Sequence, residues 1–203
     1  MIFPYSATAI ETLDCLGDKW KCIGFISDDV NYIDQYIYGY RIFSRKAFDL
    51  FPHAKVLAVH GSPTSFKLRR EICDTLKIKL TRFGTVIHPK AVVSENAEIG
   101  SNVLVMAGTV ITSNAQIQNH VIVLPNSVVH HDSSIGEYTL VAANVTISGN
   151  VQIGSNCYLG ASSSFKNGIV IGDQTLVGIG SNVINSFPAG STLVGNPAKI
   201  LKK

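Results

Sequence analysis

From Ile87 onward the chain carries an apolar residue at every sixth position, and this period limits its possible folds more than any other feature. Seventeen successive positions keep the phase without a break. They are Ile87, Val93, Ile99, Val105, Ile111, Ile117, Val123, Val129, Ile135, Val141, Ile147, Ile153, Leu159, Phe165, Ile171, Val177 and Val183. A period of six that persists for about a hundred residues is typical of a coil with three flat sides, and it fits neither a helix nor a meander. The pattern therefore predicts a parallel β-helix.

The third residue after each of these anchors indicates where one side of the coil ends. Asn, Asp or Gly recurs in this column, and these residues tolerate a positive φ better than others do. They are Asn96, Asn102, Gly108, Asn114, Asn126, Asp132, Asn144, Asn150, Asn156, Gly168 and Gly180. We expect a tight turn at each of these positions. Three sides of six residues make a coil of 18, so residues 18 apart are expected to stack one above another.

The first part of the chain follows a different pattern, in which short apolar strands alternate with helical segments. Such alternation predicts an α/β unit with a parallel sheet, and ligands of such sheets bind at the carboxyl ends of the strands. Thr8 and Glu11 have the spacing of a capping box for the first helix, and Gly17 is placed to end it. The loops that follow strands, and are therefore candidates for binding, span residues 6–8, 28–29 and 60–62.

Charge and composition narrow the possible functions. The 203-residue chain has a net charge of +3 and no long basic run with interleaved aromatic residues, so we expect no nucleic-acid partner. No apolar run reaches the roughly 18 residues that span a membrane, and Glu11 and Asp14 interrupt the stretch where a signal peptide is apolar. The four cysteines form no CxxC pair, which is typical of reduced thiols. These features predict a cytoplasmic protein without a membrane span.

The segment VVHHDSSIGEY places two histidines and an aspartate at one edge of the predicted coil. Val129 is an anchor, so Asp132 falls in the turn column, whereas His131 occupies a rim position with no packing need for an imidazole. Gly149, 18 residues further on, is expected to stack above His131. An imidazole takes up a proton near neutral pH, a carboxylate orients it, and a free backbone N–H stabilises an oxyanion. We therefore predict a base at His131, its orienting acid at Asp132 and an oxyanion donor at Gly149.

Two other interpretations of these residues stay open. Asp132 serves equally well as a plain turn residue, because its column is rich in asparagine. A zinc site between subunits is the second, because some β-helix enzymes, the γ-type carbonic anhydrases, use three histidines, and His88, His120 and His131 are available. His120 and His131 are eleven positions apart and do not stack, and no acid-rich surroundings support a metal, so we predict no metal site. His130 is expected to turn away from the site.

The hexads AEIGSNV, VQIGSNC and IVIGDQT, the closing VGNPAK and the preceding α/β pattern together resemble one family. It is that of the hexapeptide-repeat sugar acyltransferases, including the sialic acid O-acetyltransferase and the UDP-4-amino-sugar N-acetyltransferase of bacillosamine synthesis. The resemblance implies a Rossmann-like nucleotide-sugar-binding domain over residues 1–83 and a left-handed β-helix acyltransferase domain over residues 84–203. It also implies acetyl-CoA as the donor, a homotrimer with sites between subunits, and catalytic roles for His131, Asp132 and Gly149.

The same resemblance implies two groups of binding residues. The nucleotide sugar is expected to contact Ser6, Ala7, Thr8, Asp28, Asp29 and His60. The acyl donor is expected to contact Leu140, Ala161, Gly178 and Ile179. Two interpretations of Lys199, Lys202 and Lys203 stay open, namely contact with the donor phosphates and a solvated tail. The chain departs from the family at its first loop, where PYSATA replaces a glycine-rich turn. Fewer main-chain contacts with a pyrophosphate are therefore expected.

The resemblance favours one function and leaves two alternatives. The favoured function is acetyl-CoA-dependent N-acetylation of a nucleotide-linked 4-amino sugar, in particular a UDP-4-amino-4,6-dideoxy-N-acetyl-hexosamine, in surface glycan biosynthesis. O-acetylation of sialic acid or another sugar hydroxyl would use the same base. A non-catalytic trimeric scaffold with a decayed nucleotide site is the other alternative, and the glycine-poor first loop is its main support.

Overall fold

The structure, a computed structural model, describes residues 1–201 as an α/β unit followed by a parallel β-helix; Lys202 and Lys203 lie outside the described residues. The strands of the first unit are β1 (Ile2–Phe3), β2 (Phe25–Ile26), β3 (Tyr36–Ile37), β4 (Tyr40–Phe43) and β5 (Leu57–Ala58). Its helices are α1 (Ala7–Glu11), α2 (Ala47–Leu50) and α3 (Arg69–Asp74), and short 3-10 segments span Thr12–Cys15, Phe66–Leu68 and Leu80–Arg82.

The sheet of the α/β unit has the strand order β3-β4-β2-β1-β5. Strands β4, β2, β1 and β5 are parallel, and β3 joins the edge as the antiparallel partner of β4. Strand β1, which lies between β2 and β5, is buried at both of its residues, Ile2 and Phe3. The parallel strands place the loops after β1, β2 and β5 at the same edge of the sheet.

Helix α1 begins before the predicted capping box. Ser6 is its N-cap, with an extended φ of −167°, and the Ser6 hydroxyl oxygen accepts a hydrogen bond from the Ala9 N–H at 3.2 Å. The prediction that Thr8 and Glu11 form the capping box is therefore wrong, because Ser6 is the last extended residue before the helix. Gly17 has a φ of +53° and follows the 3-10 segment, as expected of a residue that ends a helical stretch.

The β-helix is built from short strands that recur every six residues. Strands β6 to β22 are Val86–Ile87, Val92–Val93, Glu98–Ile99, Leu104–Val105, Val110–Ile111, Gln116–Ile117, Ile122–Val123, Val128–Val129, Ser134–Ile135, Leu140–Val141, Thr146–Ile147, Gln152–Ile153, Tyr158–Leu159, Ser164–Phe165, Val170–Ile171, Leu176–Val177 and Asn182–Val183. Strands β23 (Thr192–Gly195) and β24 (Ala198–Ile200) close the coil as an antiparallel pair.

Three parallel sheets form the faces of the coil. Face 1 contains β6, β9, β12, β15, β18, β21 and β23, face 2 contains β7, β10, β13, β16, β19 and β22, and face 3 contains β8, β11, β14, β17 and β20. Neighbouring strands pair with a shift of 18 residues, as Ile111 does with Val129 and Ile117 with Ile135. Anchors such as Val129 and Ile135 are fully buried in the interior. The predicted parallel β-helix is confirmed.

The faces meet at three edges, which are named here by the faces that they join. In the middle coils, edge 2–3 includes residues 130–133, edge 3–1 includes residues 136–139, and edge 1–2 includes residues 160–163. Every predicted turn residue except Asn96 has a positive φ. His120, Tyr138, Ser162 and Gln174 fill the same column with a positive φ as well. The turn column therefore follows the backbone geometry, and asparagine is its commonest occupant.

The α/β unit packs on face 1 of the β-helix through apolar side chains. Ile2, Leu57 and Val59 share one buried cluster with Leu104 and Ile122 of the β-helix. Burial of apolar surface is the main source of stability in such a contact. The two parts of the chain are therefore joined by a continuous hydrophobic core.

Arg69 of helix α3 adds a polar connection at edge 3–1. Its side chain is fully buried and donates hydrogen bonds to three backbone carbonyls: Nε to His60 at 2.8 Å, Nη1 to Tyr138 at 2.5 Å and Nη2 to His120 at 2.9 Å. Burial lowers the pKa of Arg69 to about 10, so the group stays charged at neutral pH. No carboxylate pairs with it among residues 1–201. Three carbonyl dipoles, one from the α/β unit and two from the β-helix, stabilise this charge.

Candidate active site

His131 and Asp132 form a hydrogen-bonded pair at edge 2–3, directly after β13. His131 Nδ1 lies 2.7 Å from Asp132 Oδ2, and the two side chains are 53% and 44% exposed. Asp132 occupies the turn with a φ of +59°. Because the carboxylate can only accept, Nδ1 carries the proton when the ring is neutral, and Nε2 is then the free basic nitrogen. The pair therefore presents Nε2 of the imidazole to solvent, while the hydrogen bond from Nδ1 to Asp132 fixes the orientation of the ring.

Asn114 holds the other oxygen of the Asp132 carboxylate. Its Nδ2 donates a hydrogen bond to Asp132 Oδ1 at 3.0 Å from the coil below. The pKa of Asp132 lies below its ordinary value because of its hydrogen bonds with His131 and then with Asn114. The 18-residue period that places Gly149 over His131 also places Asn114 under Asp132. The sequence therefore contained the signal for this contact.

Gly149 lies over the His131 ring, as the 18-residue register predicts. A Cβ at position 149 would stand 2.6 Å from both Cε1 and Nε2 of His131. Such a distance is too short for any real Cβ, so glycine is the residue that allows the imidazole to lie there. The Gly149 N–H donates no hydrogen bond to another described residue. The Gly149 residue, whose N–H is unpaired in the described structure, therefore lies against the His131 ring.

His130 differs from its neighbour in its surroundings. It is exposed, and its backbone N–H donates to the Ile147 carbonyl within the ladder of face 2. Its side chain makes no hydrogen bond within the described part of the chain. Of the two histidines, only His131 combines a carboxylate partner with a glycine above its ring.

The first predicted sugar-binding loop borders a small cleft between the α/β unit and face 1. Ser6 caps helix α1, and Ala7 is exposed at its start. Thr8 lines a cleft of about 170 Å³. The other lining residues are Val59, Gly61, Ser62, Pro63, Ile122, Leu124, Leu140 and Tyr158. Gly61 and Ser62 belong to the predicted 60–62 loop, whereas Pro63 and Tyr158 are new candidates. Sequence reasoning missed Tyr158 because the α/β unit and face 1 are far apart along the chain.

Asp28 and Asp29 follow β2 but have different partners. Asp28 forms a two-pronged ion pair with Arg45, through Nε at 2.6 Å and Nη2 at 2.7 Å. Asp29 Oδ1 instead accepts from both the backbone N–H and the side-chain amide of Asn31, each at 2.9 Å. Both aspartates are exposed at the carboxyl edge of the sheet. Asp29 is therefore the acid whose carboxylate lacks a cationic partner.

The structure places His60 in the junction between the two parts, away from the cleft. The residue is 7% exposed, and its Nε2–H donates to the Arg69 carbonyl at 2.9 Å. The opposite nitrogen, Nδ1, is buried and without a hydrogen-bond partner. The protein itself covers the ring, and the contact of His60 with the sugar stays a prediction. Its role is to pack the junction beneath the loop that Gly61 begins.

Leu140 packs beneath the α/β unit. It is 6% exposed on face 1, and a Cβ at Gly61 would come within 3.2 Å of its Cδ1. It also lines the cleft beside Thr8, and its contact with the acyl donor stays a prediction. Ala161, Gly178 and Ile179 lie together at edge 1–2, where Ile179 is 80% exposed.

Within a single copy of the chain, the predicted catalytic residues, acyl-donor contacts and sugar contacts do not lie together. The His131–Asp132 pair stands at edge 2–3, and the remaining donor residues stand at edge 1–2, on the other side of face 2. The cleft beside Thr8 opens on face 1. The predicted base and the predicted binding residues therefore lie on different parts of the surface of the prism.

The structure also bears on the predictions about a metal site and a membrane span. Among residues 1–201, no group of three His, Cys, Asp or Glu side chains is arranged to hold a metal ion. His120, one of the three histidines named for zinc, is buried at edge 3–1, where its Nδ1 accepts from Asn102 Nδ2 at 2.9 Å. In the same described range, no helix has the length and apolar character needed to cross a membrane.

Buried histidines make the stability of the fold sensitive to acid. Burial and then the Arg69 charge lower the pKa values of both His60 and His120 to about 4. An unfolded histidine binds a proton near its ordinary pKa of 6.5. Between pH 6.5 and about 4, the unfolded chain therefore holds protons that the folded chain does not. The stability contributed by these neutral rings is complete above pH 6.5 and is lost as the pH falls through that window.

We expect the free energy of unfolding in urea to decrease from pH 7 to pH 5, and His120→Asn to reduce this slope. Asparagine suits the positive φ of position 120 and does not titrate. His53→Gln is the matched control, since His53 is exposed and packs in no core. The explanation fails if all three proteins lose stability with the same slope.

Comparisons with known proteins find acetyl- and acyltransferases among the structural neighbours of this chain. The family model of the GMPPB C-terminal domain matches residues 83–177. PerB from Caulobacter crescentus, solved with CoA and GDP-perosamine, is 24% identical, with a TM-score of 0.77 over 88% of this chain and 84% of that one. The acetyltransferase domain of PglB from Neisseria gonorrhoeae, solved with acetyl coenzyme A, is 26% identical, with a TM-score of 0.77 over 88% and 85% of the two chains.

A third solved structure extends the likeness along the chain. WeeI from Acinetobacter baumannii is 22% identical, with a TM-score of 0.73, and the match covers 98% of each chain. The structural neighbours are hexapeptide-repeat sugar N-acetyltransferases. These acetyltransferases share the α/β unit with this chain as well as the β-helix, because the match to WeeI spans both. A search of curated protein sequences found no significant match.

Proposed function

We propose that this chain is an acetyl-CoA-dependent N-acetyltransferase whose acceptor is an amine of a nucleotide-linked sugar. The observation that carries the proposal is the His131–Asp132 pair with Gly149 over the imidazole ring. A half-exposed base with a fixed ring and an unpaired N–H beside it is an arrangement suited to acyl transfer. The acetyl-CoA-bound PglB domain, which has the same fold at 26% identity, supports the choice of donor.

The proposed reaction is a direct transfer in which His131 moves one proton. The lone pair of the acceptor amine forms a bond to the thioester carbonyl carbon, and Nε2 of His131 takes the proton that the amine loses. The C–S bond then breaks, and the leaving thiolate receives that proton from the imidazole. Asp132, bonded to Nδ1–H, stabilises the imidazolium that exists between these two events.

Gly149 is proposed to stabilise the charge that develops on the carbonyl oxygen. This residue, whose N–H is unpaired in the described structure, lies against the His131 ring, where the reacting carbon has to stand during the transfer. A single donor of this kind contributes about 3 kcal/mol to the transition state in acyl transfer. The lack of a side chain at position 149 leaves room for the thioester.

The acceptor is proposed to bind at the carboxyl edge of the α/β sheet. The parallel strands run in the order β4-β2-β1-β5, which is the order of a mononucleotide-binding half of a Rossmann-like domain. Asp29 and the cleft beside Thr8 are the proposed contacts for the sugar nucleotide, with Ser6 and Ala7 at its entrance. The C4 amine of a UDP-4-amino-4,6-dideoxy-N-acetyl-hexosamine is the proposed acceptor, and the four free cysteines favour a reducing, cytoplasmic location.

We further propose that the working form is a homotrimer with each site between two copies. The donor residues Ala161, Gly178 and Ile179 lie at edge 1–2, and the base lies at edge 2–3. Contact between edges of different copies would bring these groups together, and cyclic symmetry would repeat the arrangement around the axis. Lys199 is exposed on β24 and is a proposed contact for the donor phosphates.

Acetyl transfer to a panel of UDP-, dTDP- and GDP-linked amino sugars, read by mass, tests the proposed activity. We expect the product mass to rise by one acetyl group for a 4-amino sugar, with no product from the matching 4-hydroxy sugar. Acetylation of sialic acid or of the hydroxy sugar alone would instead establish the O-acetyltransferase alternative. If no sugar of the panel gives a product, the result would favour the alternative that the chain is a non-catalytic scaffold.

Mixing two inactive variants tests the site between copies. His131→Ala removes the base, and Thr8→Trp fills the cleft on face 1, so each variant alone is expected to be inactive. If the base and the cleft of one site come from different copies, random mixing restores activity at about a quarter of the sites. Co-refolded mixtures are assayed against each variant alone. A mixture as inactive as its components would show that one copy supplies the whole site.

A further inference from the structure

Asn114 makes a contact that several other stacked turns lack, although Asn102 Nδ2 also lies 2.9 Å from His120 Nδ1 between stacked turns at edge 3–1. Asn114 Nδ2 donates a hydrogen bond to Asp132 Oδ1 in the adjacent coil at 3.0 Å. At edge 1–2, Asn126 lies under Asn144 and Asn144 under Ser162, yet no side-chain hydrogen bond joins these pairs in the described structure. The Asn114 contact is therefore not a general property of asparagines in the turn column. It occurs beneath Asp132, the turn residue that bonds to the exposed His131.

The Asp132 carboxylate needs a second contact to keep its orientation. Its side chain is 44% exposed, and an exposed ion pair alone restrains two side chains only weakly. With Asn114 on Oδ1 and His131 on Oδ2, each oxygen has its own donor. Rotation about the carboxylate bond would break both hydrogen bonds at once. The carboxylate plane is thus fixed relative to the imidazole.

We propose that Asn114 is a positioning residue for the catalytic pair, acting through Asp132 on the orientation of His131. This inference rests on the proposed function of His131 as the base. Asn114 itself touches neither ring nitrogen, so its effect on the reaction passes entirely through the carboxylate. In the described structure, His131 and Asn114 are the two side chains that hydrogen-bond to the Asp132 carboxylate.

Asn114→Gly tests the proposal without straining the backbone. Position 114 has a φ of +59°, which glycine adopts freely. The matched control is Asn144→Gly, where φ is +58° and the side chain has no hydrogen bond to a described residue. For Asn114→Gly we expect kcat to fall about 3- to 30-fold, less than the loss of the base itself. The rising limb of its pH profile should move to lower pH, because the imidazolium loses an oriented carboxylate.

A purely structural role for Asn114 would give a different result. The melting temperature would fall relative to the Asn144→Gly control, while the pH profile would stay in place. Unchanged kcat and an unchanged pH profile in Asn114→Gly would overturn the proposal. Asp132→Asn provides the upper limit of the effect, since it removes the negative charge and keeps a residue suited to the turn.

Carbon-13 NMR of the Asp132 carboxyl gives a second test that needs no activity. We expect the titration midpoint of Asp132 to rise in Asn114→Gly, because one of the two donors that lower the pKa is gone, and to stay unchanged in Asn144→Gly. An identical midpoint in both variants would contradict the proposed contact. If the wild-type protein acetylates no amino sugar, the proposed function fails, and this titration still decides whether Asn114 holds Asp132.

Discussion

Replacing His131 with alanine is expected to lower kcat by about 10²- to 10⁴-fold, the range for loss of a general base. The side chain is 53% exposed, so little packing is lost and the melting temperature should change little. Alanine leaves Gly149 and the turn at Asp132 in place. The measurement is kcat for acetyl transfer to the best acceptor of the panel, at saturating donor and acceptor.

His130→Ala is the matched control for this substitution. It removes an exposed imidazole from the adjacent position, which has no carboxylate partner and no glycine over its ring. We expect less than a threefold change in kcat, since no contact of the catalytic pair is touched. Equal losses in both variants would mean that the register is misassigned, and a fully active His131→Ala protein would exclude it as the base.

Arg69→Met should produce the largest loss of stability in the chain. Methionine fills much of the same volume but leaves three buried carbonyls, those of His60, His120 and Tyr138, without the donor that satisfies them. Each unsatisfied buried carbonyl costs about 1–3 kcal/mol, and part of this cost is offset because a charge is no longer buried. We expect the free energy of unfolding in urea to fall by about 3 kcal/mol or more.

Arg70→Met, one residue further along the same helix, separates this effect from a general effect of removing a cation. Arg70 pairs with Glu137 at 3.0 Å, with side chains 49% and 30% exposed. A pair of this kind contributes about 1 kcal/mol or less. If Arg69→Met were no less stable than Arg70→Met, the three carbonyl contacts would contribute nothing net to the fold.

The β-helix could be predicted from the sequence because its packing is local and repetitive. Each anchor, such as Val129, packs against residues of its own coil and the next, so one period in the sequence encodes both the strand and its neighbour. The stacking of Gly149 on His131 follows from the same period. The contact of Asn114 with Asp132 follows the same 18-residue period.

The surroundings of Leu140 and His60 could not be predicted from the sequence, because they depend on packing between the two parts of the chain. Leu140 occupies an outward position of face 1, which in an isolated coil would face solvent. The α/β unit packs over Leu140, and the six-residue repeat carries no information about this contact. His60 ends a strand in the manner of a ligand-binding residue, but Arg69 and the β-helix enclose it. Asp28 follows β2 as expected, but its carboxylate forms an ion pair with Arg45, which lies in a different loop of the α/β unit.

The hydrogen bonds of Arg69 also set an order of events during folding. Contacts within the coil join residues 18 apart, whereas Arg69 reaches His120 and Tyr138 across 51 and 69 residues. Closing long loops is slow compared with winding neighbouring coils. As the chain leaves the ribosome, the α/β unit emerges with this arginine lacking two of its three acceptors. It reaches its final packing only after the polypeptide has been synthesised past Tyr138 and the first coils have wound.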